Sequence, residues 1–371
     1  MCSSDLTSIS ISFSSRSPFL NLFLKLSLVA TLALLPTKAS NTLSSALSST
    51  FAVNDDAILS DETPKTLSEF NFFSDPLRQI PNDDVVPYEL ITSLFSDYTD
   101  KHRFVYLPDG ATAKYDGEEV FNFPIGAALI KTFSYQNIDG GTLLLETRLL
   151  LNKKNGWDAL TYVWDIERGD AYLALGGKTI EVTDVITPSN AASIRYRAPN
   201  KNQCKECHLK NDVVEPIGPK PRNINKAISY QNQEMTNQIS HWTTLGFLEE
   251  KRYSDYLMVD AFDQNYDIDN RARSYLDINC GHCHSPEGSA SSSGLYLSID
   301  DEEFGIYKKP VAAGRGSGGL SYSIVPGHPE ESILLFRMLS NEPDIMMPES
   351  GRSLMHIEAI DLVTEWISEM K

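Results

Sequence analysis

Between residues 61 and 200 apolar and polar positions alternate in short runs broken by glycine, asparagine and aspartate. Residues 103–107 lead into a Pro108-Asp109-Gly110 turn, residues 120–123 alternate again, and longer runs occupy 127–135, 142–151 and 157–166. Asp139-Gly140-Gly141 and Asn155-Gly156 separate the last three, and glycine there permits the positive φ that tight hairpins use. The pattern predicts an antiparallel sheet or small sandwich of roughly six to eight strands. No helical crossover interrupts these runs, which disfavours a parallel sheet. Ahead of them, residues 88–98 read as including a short helix.

The period changes near residue 200. Over 225–248, Ile228, Met235, Ile239 and Trp242 fall at helical spacing. Asp269 is placed to cap a helix running through Ala272, Tyr275 and Leu276. Ile357, Ile360, Val363, Ile367 and Met370 recur every three or four positions, which predicts an amphipathic helix over 356–370. At the start of the chain Arg16 and Lys25, the apolar stretch 26–35, and Thr37 and Ala39 around Lys38 make the pattern of a cleavable secretion signal, with cleavage after Ala39. The stretch is shorter than the about 20 apolar residues of a membrane span. No later run is long enough either, so no integral membrane span is expected in the mature chain. The organisation expected is a signal peptide over 1–39, a Ser/Thr/Ala-rich linker over 40–60, a β-rich domain over 61–200, and two further units over 201–262 and 263–371.

Composition changes this picture little: 41% hydrophobic and 22% charged residues are ordinary for a globular chain. Charge adds more. The 371 residues carry a formal net charge of −18, and the signal stretch holds Arg16, Lys25 and Lys38 against Asp5 alone, so the exported chain is more acidic still. Nucleic acid is an unsuitable partner for such a surface. A basic redox protein would be steered toward it, although plain solubility is served equally well.

The candidate chemistry lies in two Cys-x-x-Cys-His motifs, Cys204-Lys205-Glu206-Cys207-His208 and Cys280-Gly281-His282-Cys283-His284. This is the attachment signature of a c-type haem. Two cysteines three apart each form a thioether to one haem vinyl group, and the adjacent histidine becomes the proximal iron ligand. The motifs use every cysteine left after Cys2 is removed with the signal. Two alternatives stand beside haem: small disulfides, since exported thiols oxidise, and zinc. Neither accounts for a histidine directly after each second cysteine. The expectation is two covalently attached haems, with His208 and His284 as iron ligands.

Residues 269–371 resemble a class I cytochrome c, through the second motif, Pro326-Gly327-His328-Pro329 and Met346-Met347-Pro348. The resemblance implies that Met347 ligates iron opposite His284, with Met346 the near alternative. Arg315, in the glycine-rich run 314–319, is either part of a flexible surface loop or a partner for a haem propionate. His282 and His328 read as surface residues. For the first haem the sequence offers His241, then Met235, Met258 and His102, or an iron with no sixth ligand. Over nearly its whole length after the signal, the chain resembles a little-characterised family of exported di-haem c-type proteins of Gram-negative bacteria. The resemblance is carried by Ser93-Leu94-Phe95-Ser96-Asp97-Tyr98, Glu146-Thr147-Arg148-Leu149-Leu150, Pro216-Ile217-Gly218-Pro219-Lys220, the run 271–280 and the run 346–353.

The resemblances imply an α+β fold: an N-terminal antiparallel β-rich domain followed by two mainly α-helical haem-binding units of cytochrome c type. They imply a periplasmic electron carrier rather than a catalyst. A di-haem peroxidase-like enzyme with an open first haem is the alternative. A third is a binding protein using the β-rich domain, where Trp157 and Trp164 are either a sugar-binding face or core.

Overall fold

A computed structural model describes residues 52–188, 193–230, 234–250, 258–301, 310–311 and 314–371. The secretion signal, its cleavage position and most of the expected linker lie outside the described residues. The first element is a five-residue helix, α1 (Asp55–Leu59), started by Asn54, whose side-chain oxygen accepts the Ala57 amide. A small ladder of β1 (Phe73–Asp75) and β2 (Ile80–Pro81) follows. The body is a six-stranded antiparallel sheet whose strands lie in chain order: β3 (Val85–Tyr88), β4 (Asp100–Tyr106), β5 (Ala128–Gln136), β6 (Thr142–Lys153), β7 (Gly156–Asp165) and β8 (Asp170–Leu173). Gly140 and Gly156, with φ of 85° and 101°, occupy the turns that link β5 to β6 and β6 to β7.

Alternation gives this sheet two buried faces. On one, Phe104, Ile130, Leu149 and Leu160 stand side by side across four strands and pack under Leu67, Phe70 and Phe72. On the other, Val105, Leu129 and Leu150 meet Ile224, Ile239 and Trp242. Farther along that second face, Phe133, Tyr135 and Leu145 meet Val182 and Tyr196 of a hairpin formed by β9 (Lys178–Thr183) and β10 (Ser193–Ala198). Residues 89–99, part of which was expected to be helical, run as turns and bends. Asn223 pins them: its carbonyl accepts the Ile91 amide and its side chain the Thr92 amide.

After β10 the elements become short. They are α2 (Lys201–His208), a two-residue ladder of β11 (Leu209–Lys210) with β12 (Val213–Val214), α3 (Pro221–Ile224), a hairpin of β13 (Ala227–Ser229) with β14 (Met235–Asn237), and α4 (Gln238–Thr244). The helix expected over 225–248 is thus a hairpin and two helical turns. Ile228, Ile239 and Trp242 do share one core, so the spacing recorded burial and not the element. Asn237 sets the boundary, because its side chain accepts the Ile239 and Ser240 amides and starts α4 there. The last stretch holds α5 (Ile268–Leu276), a π-helical turn over Asp277–Gly281, α6 (Ile333–Met338) and α7 (Ile357–Glu369). The cap of α5 is Asp267, not Asp269; Asp269 instead accepts a hydrogen bond from Trp366 of α7.

The expected α+β class, with two mainly α-helical units of cytochrome c type, is therefore corrected. Among the described residues the chain is mainly β, with 24% helix. The helices α2 to α6 span only four to nine residues each. The short elements after the first motif are fastened to the second face of the sheet, and α5, α6 and α7 pack around a core of their own. Among the described residues no helix is long and apolar enough to cross a membrane.

Candidate functional site

The second motif grows out of α5. The π-helical turn carries Cys280, and the Cys283 and His284 amides both donate back to the Cys280 carbonyl, at 3.1 and 2.9 Å. His284 is then fixed from behind: its Nδ1 lies 3.3 Å from the Leu295 carbonyl and 3.2 Å from the Ser293 hydroxyl. That leaves Nε2 as the ligating atom, the usual way a second contact sets the tautomer of a metal-binding histidine. Burial lowers the pKa of His284, which keeps the imidazole neutral and able to ligate. Gly281 is needed for the close approach of this turn to residue 297, since a Cβ would come 2.9 Å from the Leu297 carbonyl oxygen.

Beside the motif lies a cavity of about 330 Å³, with Leu295, Leu297, Leu334 and Ile360 in its walls. Cys280, Cys283, His284 and Met347 all face it. Met346 is not among its lining residues. Two arginines build the loop that presents Met347. Arg352 donates to the carbonyls of Met347, Ser340 and Leu354 and to Asn341, while Arg337 donates to the Ile345 carbonyl and receives the Met347 amide on its own carbonyl. Both also line the cavity. Neither has a role assigned from sequence: Arg337 has no motif around it, and Arg352 stands in the run 346–353 beside Met347. Arg315 lies away from this cavity, exposed and paired with Glu342 at 3.4 Å. His328 is exposed and faces Glu330.

The first motif is the helix α2, started by a reciprocal cap in which Asn200 accepts the Gln203 amide and Gln203 accepts the Asn200 amide. His208 closes the helix. Its Nδ1 sits 2.7 Å from the Glu215 carbonyl, again leaving Nε2, and burial lowers its pKa to about 4. Cys207 and His208 line a second cavity, of about 560 Å³, together with Phe121, Trp157 and the carboxylates of Glu119, Asp277 and Asp300. No methionine lines it.

The distal candidates for this motif are dispersed. His241 stacks on Tyr230 at 3.7 Å between ring centres and borders neither cavity. Met235 is 65% exposed, and Met258 is packed with Ile278 and Ile299. His102 neighbours Ser134 and follows the alternation of Phe104, so it lies on the sheet face opposite Arg103. Trp157 borders the second cavity, whereas Trp164 belongs to the core on the other face.

The two motifs touch each other. Ser289 Oγ donates to the Glu206 carbonyl at 2.8 Å, the Asn211 amide to the Glu287 carbonyl at 3.0 Å, and Cys283 Sγ lies 3.5 Å from the Glu206 carbonyl. Cys207, His282 and Cys283 bring their ligating atoms within 4.8 Å of one another. His282, expected on the surface, forms part of both cavity walls, and its buried Nδ1 has no hydrogen-bond partner.

The donor set fits the haem that each motif implies. The second site has two thiols, a neutral imidazole oriented from behind, a thioether and an apolar cavity of cofactor size; at the first, Cys207 and the neutral His208 face the second cavity, while Cys204, one helical turn away on α2, lines neither. The Cys207, His282 and Cys283 cluster would also suit zinc, if those sulfurs stayed free. Compared with family models, with characterised proteins and with solved structures, the chain matches none.

Proposed function

We propose that this chain is an exported di-haem c-type electron carrier acting outside the cytoplasm. The observation that carries the proposal is the meeting of Met347 with Cys280, Cys283 and His284 around one apolar cavity. The methionine is distant from the motif in sequence, and the chain folds so that Met347 and His284 face the same space. Cys204 and Cys207 would hold one haem and Cys280 and Cys283 the other, with His208 and His284 as iron ligands and Met347 completing the second site. A haem bound in this way supplies one-electron ferric/ferrous chemistry, and thioether ligation raises its potential. The protein's part is to fix the donors. The Leu295 carbonyl and Ser293 hold His284, the Glu215 carbonyl holds His208, and Arg337 and Arg352 hold the Met347 loop. The net charge of −18 suits a basic redox partner.

The second cavity supports one further reading. It has no methionine in its walls and does not contain His241, so a first iron with an open position would make the protein a peroxidase-like enzyme. Expression with working haem-maturation machinery, followed by a pyridine haemochrome assay on a denatured sample, tests the main proposal. Two haems per chain are expected, and a colourless chain overturns it. A low-spin ferric signal from both haems identifies the carrier; a high-spin signal from one, with peroxide turnover, identifies the enzyme.

A further inference from the structure

Across the second face of the sheet, cations stand directly opposite one another on three adjacent strands. Arg103 of β4 pairs in register with Lys131 of β5, and Lys131 pairs with Arg148 of β6. One pair along, Lys101 of β4 faces Phe133 of β5. Like charges directly opposed across a ladder destabilise it, and these groups are buried or half-buried. One carboxylate reaches the group: Glu146, buried, which bonds Arg148 at 2.5 Å and accepts from the Tyr196 hydroxyl. Among the described residues Arg103 hydrogen-bonds only neutral groups, the Lys101 carbonyl and Ser93, with the Glu89 charge acting on it from farther off, and Lys101 donates to the Thr99 carbonyl. Asp97 and Asp100 are the nearest other acids to Lys101, but Asp97 accepts the Ser353 and Leu354 amides and Asp100 accepts from Gln136.

Lys131 has no hydrogen-bond or ion-pair partner among the described residues. Its Nζ lies 4.9 Å from the centre of the Phe133 ring, with the Arg148 guanidinium 4.2 Å and the Lys101 Nζ 6.0 Å from the same ring. Three cations around one ring receive at most a couple of kcal/mol each from it, less than a buried charge needs. Burial, with Arg103, Arg148 and Lys101 as neighbours, pushes the Lys131 ammonium well below its ordinary pKa.

The row also leads somewhere. Arg148 pairs in register with Thr161 of β7, which neighbours Cys204 and whose buried hydroxyl has no hydrogen-bond partner among the described residues. The Arg148 charge acts on Cys204, Cys207 and His208, and that of Lys131 on His208.

We propose that Arg103, Lys131, Arg148 and Lys101 form an anion-binding site on the sheet, beside the first Cys-x-x-Cys-His motif, that takes a carboxylate or a small oxyanion. The anion supplies the negative charge that the register omits. The propionates of a haem carried by Cys204 and Cys207 would be one source of such a carboxylate; a free oxyanion has the same chemistry. The inference rests on the proposed function only for the identity of the carboxylate.

Inorganic phosphate is titrated into the full-length, haem-free, reduced chain while its thermal midpoint and binding heat are followed. Phosphate is expected to bind and raise the midpoint, and Lys131→Gln to weaken binding about tenfold or more, the scale of one lost charge-assisted contact. Lys101→Gln, at the edge of the row, gives the same direction with a smaller loss and serves if Lys131→Gln does not fold. Absence of phosphate binding, or binding equal in wild type and both variants, overturns the site. The haem-loaded protein then identifies the source. Phosphate that no longer shifts its midpoint means the propionates fill the site, and phosphate that still does means a free oxyanion is the ligand. A colourless product from the maturation host would sink the haem proposal and leave the phosphate result standing by itself.

Discussion

Arg222 and Asp277 join the two halves of the candidate site with side chains that are 0% and 1% exposed, 3.1 Å apart. Arg222 follows the loop after the first motif, and Asp277 precedes Cys280 in the turn that presents the second. Lys220, Glu119 and Asp300 surround the pair. Burial raises the Asp277 pKa, but Lys220, Arg222 and the Ile299 amide outweigh it and hold the carboxyl below its ordinary value. A depressed folded pKa contributes stability that is full above the unfolded value, about 3.9, and is lost as pH falls through the folded one. Asp277→Ala leaves the buried guanidinium with the more exposed Glu119 and Asp300, so urea unfolding at pH 7 should show a loss of about 1.5–3 kcal/mol. The loss should shrink as the pH falls below about 4, because the wild-type carboxylate is then protonated as well. For the haem proposed at the second motif, Met347→Ala should leave the covalent attachment intact and lower the reduction potential by on the order of 0.1 V, read by potentiometry. An unchanged potential would assign the sixth ligand elsewhere.

Among the elements, the sheet and the last helix follow most directly from local pattern. Strands β4 to β7 fall where alternation and Gly-containing turns place them, because each buries a face whose period is two. Helix α7 follows from its stripe of apolar residues, of which Ile360, Val363 and Ile367 are buried. Leu362, 2% exposed, packs in the core shared by α5, α6 and α7. Leu362→Ala should therefore cost about 2–5 kcal/mol in chemical denaturation, whereas a change at the exposed Ile357 should cost far less. The hairpin of β13 with β14 was not legible. Its Ile228 and the Ile239 and Trp242 of α4 lie at a helical interval, yet reach their common core from a strand and a separate short helix. Periodicity reports which residues are buried. It does not say whether the chain turns back between them.

Taken whole, the stretch that carries the second motif is tied to the sheet by bonds that a self-contained unit would not need. Asp97 accepts the Ser353 and Leu354 amides at 2.7 and 2.8 Å, Tyr98 donates to Glu358, and Asn279 accepts the Phe95 amide. Calorimetry of the mature chain is expected to give one cooperative transition, and residues 263–371 expressed alone should be markedly less stable than in the intact chain. A fragment as stable as the parent would contradict that dependence.

The two Cys-x-x-Cys-His motifs are each written in a few neighbouring residues, and the strand-rich region was legible because it is written in a period of two. The mainly β class, the contact between the two motifs, the place of His282 between the cavities, the arginines behind Met347 and the row of opposed cations were not. Those depend on register and on contacts between residues far apart in the chain. Such contacts follow from which buried surfaces fit together, and no local pattern of residues encodes that fit.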